Sequence, residues 1–333
     1  MTAVAALGLA LGIVGIGTAQ ADTWRSGPFN FTLDFVDIGD AGNAADTAYL
    51  NNDLVLTSHG AVSYDYRMSA YEISQNNLRA ARIMAGENSP LSRVTGGGWT
   101  GNQPLADVSW YEAAVFVNFL NTRKGKTPAY DLTYNNASGP NSYIMNLWSS
   151  EQAWTKGGTN PYRNKDAFYF LPSEDEWYKA AYYNPAGSDY FLYPTGSNSS
   201  PTPVASGTTA GTAVYDGTLS LEEPAAVDSA GGLSPYGTMG QGGNVWEWTE
   251  TSKDGLNTDP YQQRWMRGGG IEDPLGGASY MAASDNEENY VPPFLKFDWL
   301  GFRVASVPEP STALVVLVAG GAWLLRKRLR RSL

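Results

Sequence analysis

The sequence contains no cysteine and a single histidine, His59, among its 333 residues. Without thiols there is no disulfide, no thiolate metal site, no Fe–S cluster and no cysteine nucleophile. One imidazole excludes any centre that needs two or three of them. Positive charge is also scarce. Five of the 22 basic residues lie in Arg326-Lys-Arg-Leu-Arg-Arg331, whereas all 33 acidic residues lie between Asp22 and Pro310. The chain ahead of that basic end therefore has 17 basic against 33 acidic side chains, a net of −16. Such a balance disfavours nucleic acid and anionic lipid, which need Lys and Arg to replace counterions. It is compatible with divalent cations and neutral glycans. Aromatics, by contrast, are plentiful: 11 Trp, 20 Tyr and 11 Phe supply ample surface for a packed core, so the chain is not disordered.

The two ends read as addresses rather than fold. From Met1 to Ala21 there is no charge, and Ala19-Gln20-Ala21 has the small-x-small pattern of a signal-peptidase site, with cleavage after Ala21. The stretch lacks the usual basic start, and a buried apolar helix is the other reading. Four glycines by residue 17 and the abrupt polar change at Asp22 favour a signal peptide over residues 1–21. At the other end, Val307-Pro-Glu-Pro310 precedes an apolar run, Thr312 to Leu325, and then the basic cluster. As a helix that run spans about 21 Å, short of the roughly 30 Å hydrocarbon core, and its basic flank belongs on the cytoplasmic side. Pro308, Glu309 and Pro310, the transmembrane segment 312–325 and the Arg-rich end together resemble a PEP-CTERM sorting tail over 307–333. The resemblance implies export in a Gram-negative-type bacterium, transient inner-membrane anchoring, and processing by an exosortase as well as signal peptidase. A simple tail anchor is the alternative; in both cases the domain faces outward.

Between the ends, residues 29–305 show no repeat and no linker, and read as one α+β domain of low regular content. Phe29-Asn-Phe-Thr-Leu-Asp-Phe35 alternates as a strand does, and Ala61–Met68 is its expected partner. Ser74 is placed to cap a helix running toward Met84. Ser109-Trp-Tyr-Glu112 and Ser173-Glu-Asp-Glu176 are capping boxes that start two more helices. The first of these presents Trp110, Ala113, Ala114, Val117 and Leu120 on one face. Residues 184–232, rich in Gly, Ser, Thr and Pro, read as surface loops. Acids at 174–176 are accounted for by the positive end of the helix dipole. Trp246 and Trp248 flank Glu247 in a strand pattern, read as core aromatics beside a buried carboxylate or, alternatively, a sugar-stacking platform. Arg303, in an apolar run, is expected to meet a carboxylate inside the fold.

Four segments in order are Pro104-Leu-Ala-Asp-Val-Ser-Trp-Tyr-Glu-Ala-Ala114, Leu171-Pro-Ser-Glu-Asp-Glu-Trp177, Gly242-Gly-Asn-Val-Trp-Glu-Trp248, and Arg267-Gly-Gly269 with Gly301-Phe-Arg-Val-Ala305. Together they resemble the formylglycine-generating enzyme (sulfatase-modifying factor) family, from about Phe35 to Ala305. The resemblance implies an elaborated C-type-lectin-like fold. It also implies calcium bound around Gly243, Val245 and Glu247, with Gly240 where the family has a side-chain oxygen. Catalytic members hold copper with two cysteines; here Asp273 and Ala278 fall close to those positions. A related branch uses a three-histidine iron site, which His59 alone cannot build. Neither copper nor iron is therefore expected, and the family chemistry lacks its residues. Glu272, Asp273, Asp285, Glu287 and Glu288 lie where the family places its groove, as a cation or sugar site or as solvated acids. The leading expectation is a non-catalytic, surface-sorted lectin-like module binding glycan or envelope protein in the extracellular matrix or exopolysaccharide. The alternative is a divergent enzyme of the same superfamily with a rebuilt site.

Overall fold

The structure, a computed structural model, describes residues 20–49, 58–135, 143–216, 219–271, 277–285 and 289–308. The expected tail segment 312–325, Glu309, Pro310 and residues 1–19 lie outside the described residues. Among the described residues, no helix is long and apolar enough to cross a membrane.

The alternating segment forms β2 (Phe29–Ile38), which buries Phe31, Leu33 and Phe35 and leaves Asn30 and Thr32 in solvent. Strand β1 (Gln20–Ser26) pairs with it antiparallel, Ala21 opposite Asp34 and Trp24 opposite Phe31. The Trp24 ring stacks on Phe31 at 5.1 Å, and its indole N–H donates to the Leu120 carbonyl. Cleavage after Ala21 would thus remove only the first two residues of β1. Strand β3 (Tyr66–Ser69) lies on the other side of β2 and completes, with β4 (Tyr169–Phe170) and β9 (Ala305–Ser306), an antiparallel sheet ordered β1-β2-β3-β9-β4.

A second sheet, ordered β7-β6-β5-β8, contains β5 (Trp246–Ser252), β6 (Arg264–Arg267), β7 (Tyr290–Val291) and β8 (Leu300–Gly301). Here β5 and β8 run parallel, while the other pairs are antiparallel. The chain entering β5 passes so close to its neighbour that a Cβ on Gly243, at φ +83°, would sit 2.1 Å from the Val214 carbonyl oxygen. Only glycine fits there.

Three helices join the sheets, each started by a capping box: α1 (Gln75–Ala85, cap Ser74), α2 (Trp110–Arg123, cap Ser109) and α3 (Glu174–Tyr182, cap Ser173). In each, the serine side chain accepts from the third helical N–H while that residue's side chain accepts the cap's own N–H, satisfying two otherwise orphaned donors. Helix α2 differs from the single buried face expected of it: Tyr111, Val115, Phe116, Phe119 and Asn121 are buried as well. The reason is its place between the sheets. Trp110 donates its indole N–H to Thr249 in β5, and the Asn121 amide bridges the backbone of β4. Buried Trp110, Trp177 and Trp248 all find indole acceptors, so the aromatic core leaves no stranded N–H at these positions. The fold is mixed α/β, rich in short strands with few helices.

Candidate functional site

The site grows from the start of α3. The Ser173–Glu176 capping box fixes the first turn and directs Glu174, Asp175 and Glu176 to different partners. Glu176 meets Arg163 through Nη1 at 3.0 Å and Nη2 at 2.9 Å, and accepts the Tyr64 hydroxyl at 2.6 Å. Arg163 also grips Glu250 from β5, at 2.7 Å through Nη2, and lies over the Phe170 ring at 3.8 Å. Two fully buried carboxylates therefore share one guanidinium. Burial opposes ionisation of both; Arg163 outweighs it at Glu176, whose carboxyl is held down, while at Glu250 burial prevails and pushes it up. The hydroxyl of Tyr130 and the amide of Asn160 donate to Glu250 and satisfy what Arg163 leaves.

Glu174 points the other way. Its Oε1 accepts Arg267 Nη2 at 2.6 Å, and its Oε2 lies 3.0 Å from His59 Nδ1. Burial works against the charged carboxylate, but His59 and Arg267 outweigh it and hold the group at about 2. Burial likewise disfavours the charged imidazole; Glu174 reverses this and raises the His59 pKa. Asp175 has no cation of its own. Its Oδ1 accepts the Gly60 N–H at 2.7 Å, yet burial, followed by the charge of Glu174, pushes its carboxyl up to about 7. Adjacent carboxyls thus hold opposite protonation preferences near neutrality.

Of these groups, His59, Tyr64, Asn160, Arg163, Glu174 and Asp175 line a groove of about 470 Å³. Tyr64, Trp154 and Trp265 give it aromatic surface; His59, Asn160, Asn257, Glu174 and Asp175 give it donors and acceptors. Two turns, Lys156–Thr159 and Lys253–Gly255, form exposed rims. Aromatic faces beside amides and carboxylates suit a ligand with alternating C–H and hydroxyl surface. Among the described residues, His59, Glu174 and Asp175 also form a group of metal-type donors whose ligand atoms lie within 4.8 Å of one another.

Among the described residues, the candidates Gly243, Val245, Glu247 and Asp285 do not line this groove. Glu247 is fully buried; Arg303 engages both its oxygens at 2.6 Å, and Trp177 donates to Oε2 at 2.7 Å. The expectation that Arg303 meets an internal carboxylate is thus realised. Both Glu247 oxygens are thus engaged by Arg303, so a cation beside Gly243 and Val245 would have to share them. The unpartnered oxygen nearby belongs to Glu72, which is buried; its Oε2 lies 2.9 Å from where a Cβ on Gly240 would stand. Burial and the Glu247 charge push the Glu72 carboxyl well above its usual range. Asp285 is buried, its carbonyl accepting Arg267 at 2.6 Å and its Oδ2 accepting Asn289 at 2.7 Å. Glu272, Asp273, Glu287 and Glu288 lie outside the described residues. His59 and the acids of α3, read from sequence as a lone imidazole and a helix-dipole preference, are what the fold brings together. Their 115-residue separation left no signal in the spacing.

Solved structures resemble this fold. Treponema denticola variable protein 1 is 23% identical, with a TM-score of 0.51, over 87% of this chain and 100% of its own. CarF is 18% identical, with a TM-score of 0.52, over 83% of this chain and 99% of its own. PvdO from Pseudomonas aeruginosa is 15% identical, with a TM-score of 0.50, over 83% of this chain and 95% of its own. At these identities the likeness shows the fold alone. No curated protein sequence matches the chain. Residues 35–307 match the sulfatase-modifying factor enzyme 1-like (FGE-sulfatase) domain, the family to which this chain belongs.

Proposed function

We propose that the chain is an exported, surface-sorted, non-catalytic module of lectin-like architecture that binds carbohydrate of the extracellular matrix in the groove beside α3. The groove carries the reading: partly exposed Tyr64 and Trp265 stand beside Asn160, His59 and Asp175 in a space of about 470 Å³, enough for one or two sugar rings. Stacking on the aromatic faces supplies affinity, and the amides and carboxylates select among hydroxyl patterns. The Pro308-Glu309-Pro310 signature with its apolar run and basic end supports the surface location. The absence of cysteine and of a second histidine supports a role apart from the copper and iron chemistry of relatives.

Binding of purified protein to a glycan array and to matrix polysaccharide tests this. Trp265→Ala is expected to weaken binding at least about tenfold, the loss of roughly 1.4 kcal/mol of stacking and burial. Its melting temperature should stay close to that of the parent. No binding to any polysaccharide, or binding indifferent to Trp265, would reject the reading. A divergent enzyme is the second reading, favoured by Glu174 held at about 2 beside Asp175 at about 7 in the same groove. Release of reducing sugar from bound polysaccharide, abolished by Asp175→Asn, would select it.

A further inference from the structure

We infer that His59, Glu174 and Asp175 form a binding site for one divalent metal ion of the zinc type at the wall of the groove. The acids at the start of α3 would by themselves be explained by the helix dipole. His59 is the independent observation. It comes from a separate segment, and it is the sole imidazole of the chain. Its Nδ1 lies 3.0 Å from Glu174 Oε2, and all three ligand atoms lie within 4.8 Å.

That spacing matches coordination geometry. With bonds of about 2.1 Å, two ligands of a tetrahedral metal stand about 3.4 Å apart, and no two ligands of one metal stand more than about 4.2 Å apart. The His59–Glu174 pair, at 3.0 Å, stands near that spacing, and a side-chain rotation of Asp175 toward them would complete the set. A cation between Nδ1 and Oε2 takes the place of the proton those atoms share.

Each donor is held from behind, as metal ligands are. Arg267 fixes Glu174 through Oε1, leaving Oε2 toward His59. The Gly60 N–H fixes Asp175 through Oδ1, and among the described residues its Oδ2 has no hydrogen bond. The His59 ring stacks on Tyr178 at 5.4 Å, and its backbone pairs with Asp46 in both directions. The side chain of His59 is 17% exposed and opens into the groove, so a metal can enter and keep positions free for solvent or a further ligand. One imidazole with two carboxylates suits zinc or manganese over calcium or magnesium, which prefer oxygen alone.

The test uses the metal alone and the whole protein, so its outcome does not depend on whether the groove takes carbohydrate. Titration of the chelator-stripped protein with Zn²⁺ should give one site per chain and raise the melting temperature. Two near-isosteric variants, His59→Gln and Asp175→Asn, should each weaken that site at least about tenfold. Circular dichroism and the metal-free melting temperature show whether each variant is folded, and Asp175→Asn keeps the acceptor for Gly60. Absence of a one-to-one site, or Zn²⁺ affinity unchanged in both folded variants, overturns the inference. So does Ca²⁺ binding as tightly as Zn²⁺ and indifferent to His59→Gln.

Discussion

At the scale of single residues, the interior of this protein is unusual for its ionised groups. Arg303 with Glu247, Arg163 with Glu176 and Glu250, and Arg267 with Glu174 are each buried. Removing one partner of such a set leaves an uncompensated charge out of water, which costs several kcal/mol. Glu72 is not in such a pair: one oxygen accepts Asn244 Nδ2 at 2.7 Å and, among the described residues, the other has no partner. A carboxyl whose folded pKa is raised destabilises the fold as pH climbs above its unfolded value, because only the unfolded chain then releases the proton. Glu72→Gln is therefore expected to stabilise the protein at pH 7.5. The gain grows as pH rises above the unfolded value, until the folded carboxyl itself ionises. Urea unfolding at pH 4.5 and 7.5 measures it. A loss of stability at pH 7.5 would instead show that the Glu72 carboxyl is ionised in the fold.

At the scale of elements, the helices are set by their first turns. All three carry the reciprocal serine box. In α2 the Ser109 Oγ accepts Glu112 N–H at 3.2 Å, and Glu112 Oε2 accepts Ser109 N–H at 2.9 Å. Ser109→Ala should cost about 1 kcal/mol, seen as a lowered urea midpoint with an unchanged slope. A changed slope would mean that α2 organises more of the fold than its cap. The Ser109 and Ser173 boxes were legible in sequence because each closes within four residues; at Ser74 the cap was legible, but its return bond comes from an amide, Asn77. The near-complete burial of α2 was not legible, because it depends on β5 and β4 reaching the helix at its two ends, through Trp110 and Asn121.

At the scale of the whole molecule, the ionised groups pull stability in opposite directions with pH. Glu174, held at about 2, and Glu176, held below its usual value, contribute stability that is present above about pH 4.5 and lost as pH falls toward 2. Asp175, raised to about 7, and Glu72, raised well above its usual value, do the reverse: stability declines as pH rises from about 4 toward 7. The excess of 33 acidic over 22 basic residues adds self-repulsion as pH rises. In the presence of chelator, maximal stability is accordingly expected near pH 4–5, with a lower urea midpoint at both pH 2.5 and pH 7.5. A maximum above pH 7 would show that the buried acids are ionised without penalty.

The sequence by itself determined the family, the three helix starts and what chemistry is impossible. Those properties depend on residue identity over short spans: a serine three places before an acid or amide, a run of motif residues, the lack of any thiol. That Arg303 needed an internal carboxylate was also legible, since an arginine in an apolar run has few other fates. Which carboxylate it met, Glu247 at a separation of 56 residues, was decided by the meeting of β5 with the chain leaving β8. The groove is tertiary throughout. His59 reaches Glu174 because the segment before β3 packs on α3, and Trp265 reaches the same groove from β6. Spacing along a chain carries no record of contacts made by separate elements packing together, so this site became visible only once the fold had closed around it.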